Sequence, residues 1–281
     1  MKKESFLIKI WNVLWPLLIY MIAQIVTSFI GLLTIGEDYA IVFLLAAAVL
    51  SIPIYDRIHK KDRLMAGEVK RNIPMDNKDF AAIVISGAAL AVAMNNIISL
   101  SPLPRIFTGY EETNEILFSG GLVLQILAAG IFGCIVEEIS LRGVVYPRMK
   151  RYWGKNNAIL FSAVVFGIYH LNVVQAVYSF FLGLFFAWVY ERYDSLWAPI
   201  TAHMSANLFV ILVGSSPIVN RLLNTMVGYS LITCIAILVF YYGIKFMKQT
   251  NPLVDLEFVE KEPDTLKGLT EEYQEQERED R

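Results

Sequence analysis

Charged side chains are scarce in this chain: Asp, Glu, Lys and Arg make up 18% of its 281 residues, against about a quarter in soluble domains. Hydrophobic residues make up 56%, and apolar runs of membrane-spanning length recur with no room between them for a separate soluble core. The composition therefore excludes a soluble globular protein. It predicts an integral, multi-pass membrane protein, an all-α transmembrane helical bundle surrounded by lipid, with no nucleic-acid partner.

Cysteine is scarce too, and a secretory cleavage site is lacking. Cys134 and Cys234 are the two cysteines, and both lie in apolar runs, which favours packing as small hydrophobic side chains over a structural disulfide. The first apolar run, 13–35, follows several lysines but is longer than a signal core and has no small-residue cleavage site. We expect it to be retained as the first transmembrane helix.

Eight apolar runs are candidate spans. They are 13–35, 39–55, 80–98 and the runs that begin near 120, 158, 176, 198 and 226, the last of which ends near 246. Lys and Arg cluster between the second and third spans and between the fourth and fifth, so both loops are predicted to be cytoplasmic. With an even number of spans, both termini are then predicted to be cytoplasmic.

Two polar segments accompany these spans. The basic loop 56–79 is interpreted as a topology determinant rather than as a patch for anionic lipid. From 254 onward the chain has eleven acidic and four basic side chains, which predicts a disordered cytoplasmic tail that a cytoplasmic partner could bind. We therefore divide the chain into a membrane domain over 1–250, with its motif core at about 120–213, and a tail over 251–281.

Ionisable residues interrupt one apolar run, the one that begins near 120. Glu137, Glu138 and Arg142 lie within six positions, and a charge at the centre of a membrane helix costs about 2.5 to 3.5 kcal/mol, so a functional role is predicted. Glu138 and Arg142 are one helical turn apart, which predicts an ion pair, while Glu137 points about 100° away. The alternative is a charge cluster where the helix leaves the membrane.

Histidine is equally rare, with three in the chain. His59 lies in the basic loop, whereas His170 and His203 lie in apolar helices, and Asn207 follows His203 by one helical turn. A single histidine on an apolar face is usually a packed core residue. Two histidines together with an amide and buried carboxylates are not explained by packing, so we predict that they form one site with the glutamates.

Depth along the helices tests whether these residues can meet. If the fourth span ended at Ile139, Glu137 would lie about 3 Å below the membrane face and His170 about 18 Å deep. Glu137 and His170 lie at similar depths only if the fourth helix continues to Pro147. We therefore predict a long fourth helix, bent near Gly143, and a site inside the membrane toward the cytoplasm.

These side chains suit peptide-bond hydrolysis. A carboxylate and an imidazole that share a water form a general base, and an imidazole with a carboxamide can stabilise an oxyanion. Glu137, His170 and His203 would also suit zinc or another divalent metal, but no His-Glu-x-x-His helix is present, so the spacing does not demand one. Serine catalysis is weaker, because no serine has a convincing triad.

Three ordered motifs resemble those of the CAAX protease and bacteriocin-processing (CPBP, or Abi) family: Glu137-Glu138-x-x-x-Arg142, Phe166-x-x-x-His170 and His203-x-x-x-Asn207. These proteins are intramembrane endopeptidases related to the type II CAAX prenyl protease, and some bacterial members are linked to bacteriocin processing. The resemblance implies that Glu137 and His170 activate the attacking water, that Glu138 and Arg142 support the site, and that His203 and Asn207 stabilise the oxyanion. It also implies glutamate-activated water without a cofactor, the metal-dependent scheme being the alternative.

The leading prediction is an intramembrane endopeptidase of a bacterial plasma membrane that cleaves a membrane-associated peptide or protein. Two other classes remain open. A non-catalytic scaffold or regulator of a signalling or cell-envelope protein would use the polar cluster for helix packing or binding. A proton or metal carrier would use the buried carboxylates, although no paired broken helices or repeat halves indicate one.

Overall fold

The structure is a computed structural model that describes residues 5–34, 36, 39–67, 75–107, 109, 120–214 and 225–250. Predictions for the acidic tail 251–281 lie outside these residues. The described part of the chain is helical and has no strand, which confirms the all-α prediction. The helices are α1 (Phe6–Leu14), α2 (Leu17–Thr34), α3 (Ala40–Met65), α4 (Asn77–Leu100), α5 (Leu103–Ile106), α6 (Gly121–Trp153), α7 (Lys155–Tyr169), α8 (Val173–Tyr193), α9 (Trp197–Gly214) and α10 (Met226–Thr250).

Seven of the described helices are long and apolar enough to cross a membrane: α2, α3, α4, α6, α8, α9 and α10. The chain is therefore an integral multi-pass membrane protein. The fifth of the eight predicted spans corresponds to α7, which has 15 residues. At 1.5 Å per residue α7 is about 22 Å long, shorter than the roughly 30 Å hydrocarbon core. The cytoplasmic placement of both termini stays a prediction.

The first predicted span is also divided. The chain leaves the helix at Trp15 and Pro16, so α1 is a separate helix and α2 alone has the length of a span. Proline has no N–H and cannot continue a helical hydrogen-bond ladder, which accounts for the break.

Local sequence signals set other helix ends. Asp76 and Asp79 form a reciprocal capping box at the start of α4, and the Asn172 side chain caps α8. Between α6 and α7, Gly154 has a φ of 80°, a conformation that costs glycine little because it has no Cβ. These signals are short-range and can be read from the sequence.

The prediction that His59 lies in a basic loop is wrong, because His59 lies in helix α3. The helix continues through the first part of that segment to Met65, and His59 Nδ1 lies 2.6 Å from the carbonyl oxygen of Gly143 on α6. This carbonyl has no α-helical donor, because Pro147 four residues later lacks an N–H. Since a carbonyl only accepts, the His59 ring donates this hydrogen bond and joins α3 to α6.

Two hydrophobic clusters place α6 at the centre of the bundle. The larger cluster packs the C-terminal part of α6 with α4, α7, α8, α9 and α10, around buried rings that include Tyr146, Phe166, Phe186 and Tyr193. The smaller cluster joins α2, α3 and α6 around Tyr20, Tyr55, Val136 and Val144. Because α6 contributes to both, most of its residues over 136–145 are buried, with Glu137 and Ile139 partly exposed.

We expect Arg148→Lys to lower the free energy of unfolding by about 1 to 3 kcal/mol, because lysine cannot form a bidentate pair. Arg148 Nε and Nη2 lie 2.5 and 3.0 Å from the Asp62 carboxylate, and Nη1 lies 2.5 Å from the carbonyl oxygen of Asn12. Thermal unfolding in detergent measures the loss. Lys60→Ala removes an exposed i,i+4 pair with Asp56 and should cost under about 0.5 kcal/mol. Equal losses in the two variants would contradict the prediction.

Candidate active site

A buried ion pair lies at the centre of the candidate site. Arg142 Nη1 is 3.0 Å from Glu138 Oε1, and both side chains are 0% exposed, which confirms the predicted pair. Arg142 Nη2 also donates to the carbonyl oxygen of Gly183 at 2.9 Å. Helix α8 comes this close because Gly183 has no side chain; an added Cβ would lie 3.0 Å from the Phe166 ring.

Aromatic rings enclose this pair. The Arg142 guanidinium lies 4.9 Å from the Phe166 ring and 5.6 Å from the Phe186 ring. Phe186 stacks on His203 with 4.7 Å between ring centroids, and Phe166 meets both His203 and His170 edge-on. Phe166, which opens the second motif, therefore contacts the arginine and both histidines and keeps the site apolar, where electrostatic interactions are stronger than in water.

His203 joins the two glutamates. Its Nδ1 lies 2.9 Å from Glu138 Oε1, and its Nε2 lies 3.8 Å from Glu137 Oε2. An ionised carboxylate only accepts hydrogen bonds. His203 Nδ1 therefore carries a proton and donates a hydrogen bond to Glu138. The two glutamates diverge on α6, as predicted, but their carboxylates converge on opposite nitrogens of the same imidazole. The Glu137 side chain is 19% exposed and that of Glu138 0%, so Glu137 is the more accessible.

Helix α6 presents these residues between two π-helical segments. Ile126–Phe132 and Ile139–Val145 are π-helical, and the turn Gly133–Glu138 between them is α-helical. The predicted bend near Gly143 corresponds to the second segment. The predicted continuation of the helix to Pro147 is confirmed, and the helix ends six residues later at Trp153. Such π segments often occur at functional sites, because they change the direction in which side chains and carbonyls point.

Asn207 binds one of these displaced carbonyls. Its Nδ2 donates to the carbonyl oxygen of Ala129 at 2.9 Å and lies 3.4 Å from Cys134 Sγ. An amide nitrogen has two hydrogens, so both are directed at α6. Cys134 is buried beside Asn207 and its thiol also interacts with His203; it belongs to the site rather than only to the packing. Both cysteines are free thiols, as predicted.

His170 lies at the edge of this cluster. Its Nδ1 is 2.8 Å from the carbonyl oxygen of Phe166, so Nδ1 donates and the neutral ring keeps a lone pair on Nε2. Within the described residues no hydrogen bond or ion pair joins His170 to Glu137, Glu138 or His203. The Phe166 ring is the contact that His170 and His203 share.

The described part of the chain contains no group of three His, Cys, Asp or Glu side chains arranged to hold a metal ion. The alternative ligand set of Glu137, His170 and His203 is therefore not assembled in this conformation.

Comparison with known proteins bears on the same stretch of chain. Residues 119–209 match the family model "Type II CAAX prenyl endopeptidase Rce1-like". This segment is therefore similar to the Rce1-like family. The match agrees with the CPBP resemblance, and the Rce1-like segment contains all six predicted site residues: Glu137, Glu138, Arg142, His170, His203 and Asn207.

One curated relative is similar to part of this chain. The chain is 33% identical over 113 residues to a Bacillus subtilis (strain 168) protein named "Putative membrane peptidase YdiL". The match covers 40% of this chain and 46% of the relative, so the chain spans about half of the relative's length. No solved structure gives a significant match.

Several residues of the candidate site are not recognisable from the sequence. Phe186 is one of many aromatic residues of α8, Gly183 acts through its backbone carbonyl, and Cys134 lies in an unremarkable apolar run. Residue type does not distinguish these positions from ordinary membrane-helix residues. They become identifiable only when α8 and α9 pack against α6.

Removing Arg142 from the candidate site should destabilise the protein strongly. We expect Arg142→Met to lower the free energy of unfolding by about 3 to 5 kcal/mol, because the Glu138 carboxylate would be left buried without its partner. Chemical unfolding in detergent measures the loss, and Arg57→Met, at an exposed position of α3, should cost under about 0.5 kcal/mol.

A double-mutant cycle separates this charge effect from lost packing. In the Glu138→Gln background, Arg142→Met leaves no charge of this pair buried. The loss in free energy of unfolding caused by Arg142→Met should therefore be smaller than in the wild type by at least about 1 kcal/mol. An unchanged cost would show that Arg142 stabilises the bundle through its contacts with Phe166, Phe186 and the Gly183 carbonyl and not through the ion pair.

Proposed function

We propose that this protein is an intramembrane endopeptidase that hydrolyses a peptide bond in a membrane-associated peptide or protein. The observation that carries the proposal is the convergence of two glutamates on one buried imidazole, within a segment that matches a CAAX-type peptidase family. The name of the Bacillus relative supports a membrane peptidase as well. On the same grounds we place the protein in a bacterial plasma membrane.

The two glutamates have different tasks in this proposal. Glu138 is neutralised by Arg142 and accepts from His203, so it orients the imidazole and has no free charge for chemistry. Glu137 has no arginine partner and its side chain is partly exposed, so its carboxylate can accept a proton from a water. His170, with a lone pair on Nε2, is the second acceptor for that water.

Hydrolysis then follows a general-base sequence. Glu137 with His170 removes a proton from water as the water oxygen attacks the carbonyl carbon of the scissile bond. The carbonyl oxygen becomes an oxyanion that His203 and Asn207 stabilise, and the proton passes to the leaving amine as the C–N bond breaks. For this role the Asn207 amide exchanges its present acceptor, Ala129 or Cys134, for the oxyanion.

Purified protein in lipid vesicles should cleave membrane-associated peptides drawn from a bacterial membrane peptidome. We expect Glu137→Gln and His170→Gln each to lower kcat at least about 100-fold, the range expected for loss of a general base. The matched control is Glu191→Gln, because Glu191 instead binds Tyr146 and Lys150 and should leave kcat unchanged. Full activity of both site variants would overturn the mechanism.

A chelator tests the metal-free form of this mechanism. Cleavage should be unaffected after exhaustive chelation; loss of cleavage that zinc restores would replace it with the metal-dependent alternative. The scaffold alternative is tested in cells. Full rescue of a deletion phenotype by the Glu137→Gln, His170→Gln double variant would favour a non-catalytic function.

A further inference from the structure

Tyr169 is a second unusual residue beside the site. It ends α7 immediately before His170, and its ring packs into the smaller hydrophobic cluster, which is formed by α2, α3 and α6. There it stacks on Tyr20, with 6.4 Å between the ring centroids and 25° between the planes. The Tyr169 hydroxyl oxygen is buried and has no hydrogen-bond partner within the described residues.

Packing does not explain this hydroxyl. A buried polar group without a partner costs about 1 to 3 kcal/mol, and phenylalanine would supply the same ring without that cost. Tyr55, in the same cluster, shows the ordinary arrangement: its hydroxyl donates to the carbonyl oxygen of Pro16 at 2.6 Å and accepts from Tyr20 N at 3.3 Å. Tyr55 therefore has a structural role that Tyr169 lacks.

The surroundings of Tyr169 point to Glu137. Val136 and Ile139, which flank the two glutamates on α6, pack in the same cluster as the Tyr169 ring. The Tyr169 hydroxyl interacts electrostatically with Tyr55 and with the Glu137 carboxylate, and the Tyr20 hydroxyl interacts with Glu137 as well. His203 Nε2 lies 3.8 Å from Glu137 Oε2, so the Glu137 carboxylate has an imidazole beside it, and the Tyr169 hydroxyl has no hydrogen-bond partner in the described residues.

We propose that Tyr169 positions the attacking water on Glu137, its hydroxyl donating a hydrogen bond to the water oxygen while the Glu137 carboxylate accepts the proton that the water loses. The inference rests on the proposed endopeptidase function. Tyr169 keeps its own proton throughout, so the step is balanced by the transfer from water to Glu137. Together with the His170 acceptor, Tyr169 and Glu137 hold the water in one orientation, which lowers the entropy cost of its attack.

Tyr169→Phe tests this role, because it removes one oxygen atom and keeps the stacked ring. We expect kcat to fall about 10- to 100-fold, the loss of a hydrogen bond in a charged site, with KM unchanged within about twofold. The thermal unfolding midpoint should stay the same or rise, because the lost hydroxyl had no partner. Tyr55→Phe is the matched control, and it should lower the midpoint while leaving kcat of the folded protein unchanged.

Infrared spectroscopy supplies a readout that does not depend on cleavage. The difference between wild type and Glu137→Gln isolates the carboxyl band of Glu137. We expect this band to shift in Tyr169→Phe and to stay in place in Tyr55→Phe, because only Tyr169 is proposed to share a water with Glu137.

The outcomes separate the two proposals. If wild type cleaves, Glu137→Gln does not, and Tyr169→Phe keeps the wild-type kcat and an unshifted band, the role of Tyr169 is wrong and the endopeptidase function stands. If wild type cleaves no peptide, the proposed function and the water-positioning role both fall. A shift of the band in Tyr169→Phe would then still show that the hydroxyl interacts with Glu137.

Discussion

The fold of the candidate site depends on the buried Arg142–Glu138 ion pair. Taking two charges out of water costs several kcal/mol per ion, so such a pair is retained in an apolar interior only with good geometry and further polar contacts. Here the Gly183 carbonyl and His203 supply them, yet Glu138 Oε2 and Arg142 Nε have no partner in the described part of the chain. The pair is therefore better suited to orienting His203 than to stabilising the bundle.

Helix α6 carries both residues of this ion pair and packs against most of the other helices. It contributes to both hydrophobic clusters, and its two π-helical segments redirect carbonyls that side chains of other helices then bind. The Asn207 side chain donates to the Ala129 carbonyl, N-terminal to the glutamates, and the His59 ring donates to the Gly143 carbonyl, C-terminal to them. The glutamates are thus held on a helix whose neighbours are attached on both sides of the turn that carries them, as a preorganised site requires.

Sequence reasoning predicted the membrane class, most of the helices and the Glu138–Arg142 ion pair. The Glu138–Arg142 pair follows from a four-residue spacing, and the length of α6 follows from the depth at which the glutamates and histidines can meet. The short α7 and the helical position of His59 were missed for one reason. Hydropathy reports apolar character but does not determine where a helix ends once capping residues, prolines and packing partners act on it.

What the sequence alone determined was local: which segments are apolar, which residues share a helical face, and which three motifs occur in order. What only the tertiary structure decided was the meeting of residues from different helices. That includes the convergence of Glu137 and Glu138 on His203, the backbone carbonyl of Gly183 at Arg142, and the buried Tyr169 hydroxyl, which has no hydrogen-bond partner in the described part of the chain. Helical spacing constrains contacts within one helix, whereas contacts between helices depend on the packing of both clusters and on the π-helical turns of α6.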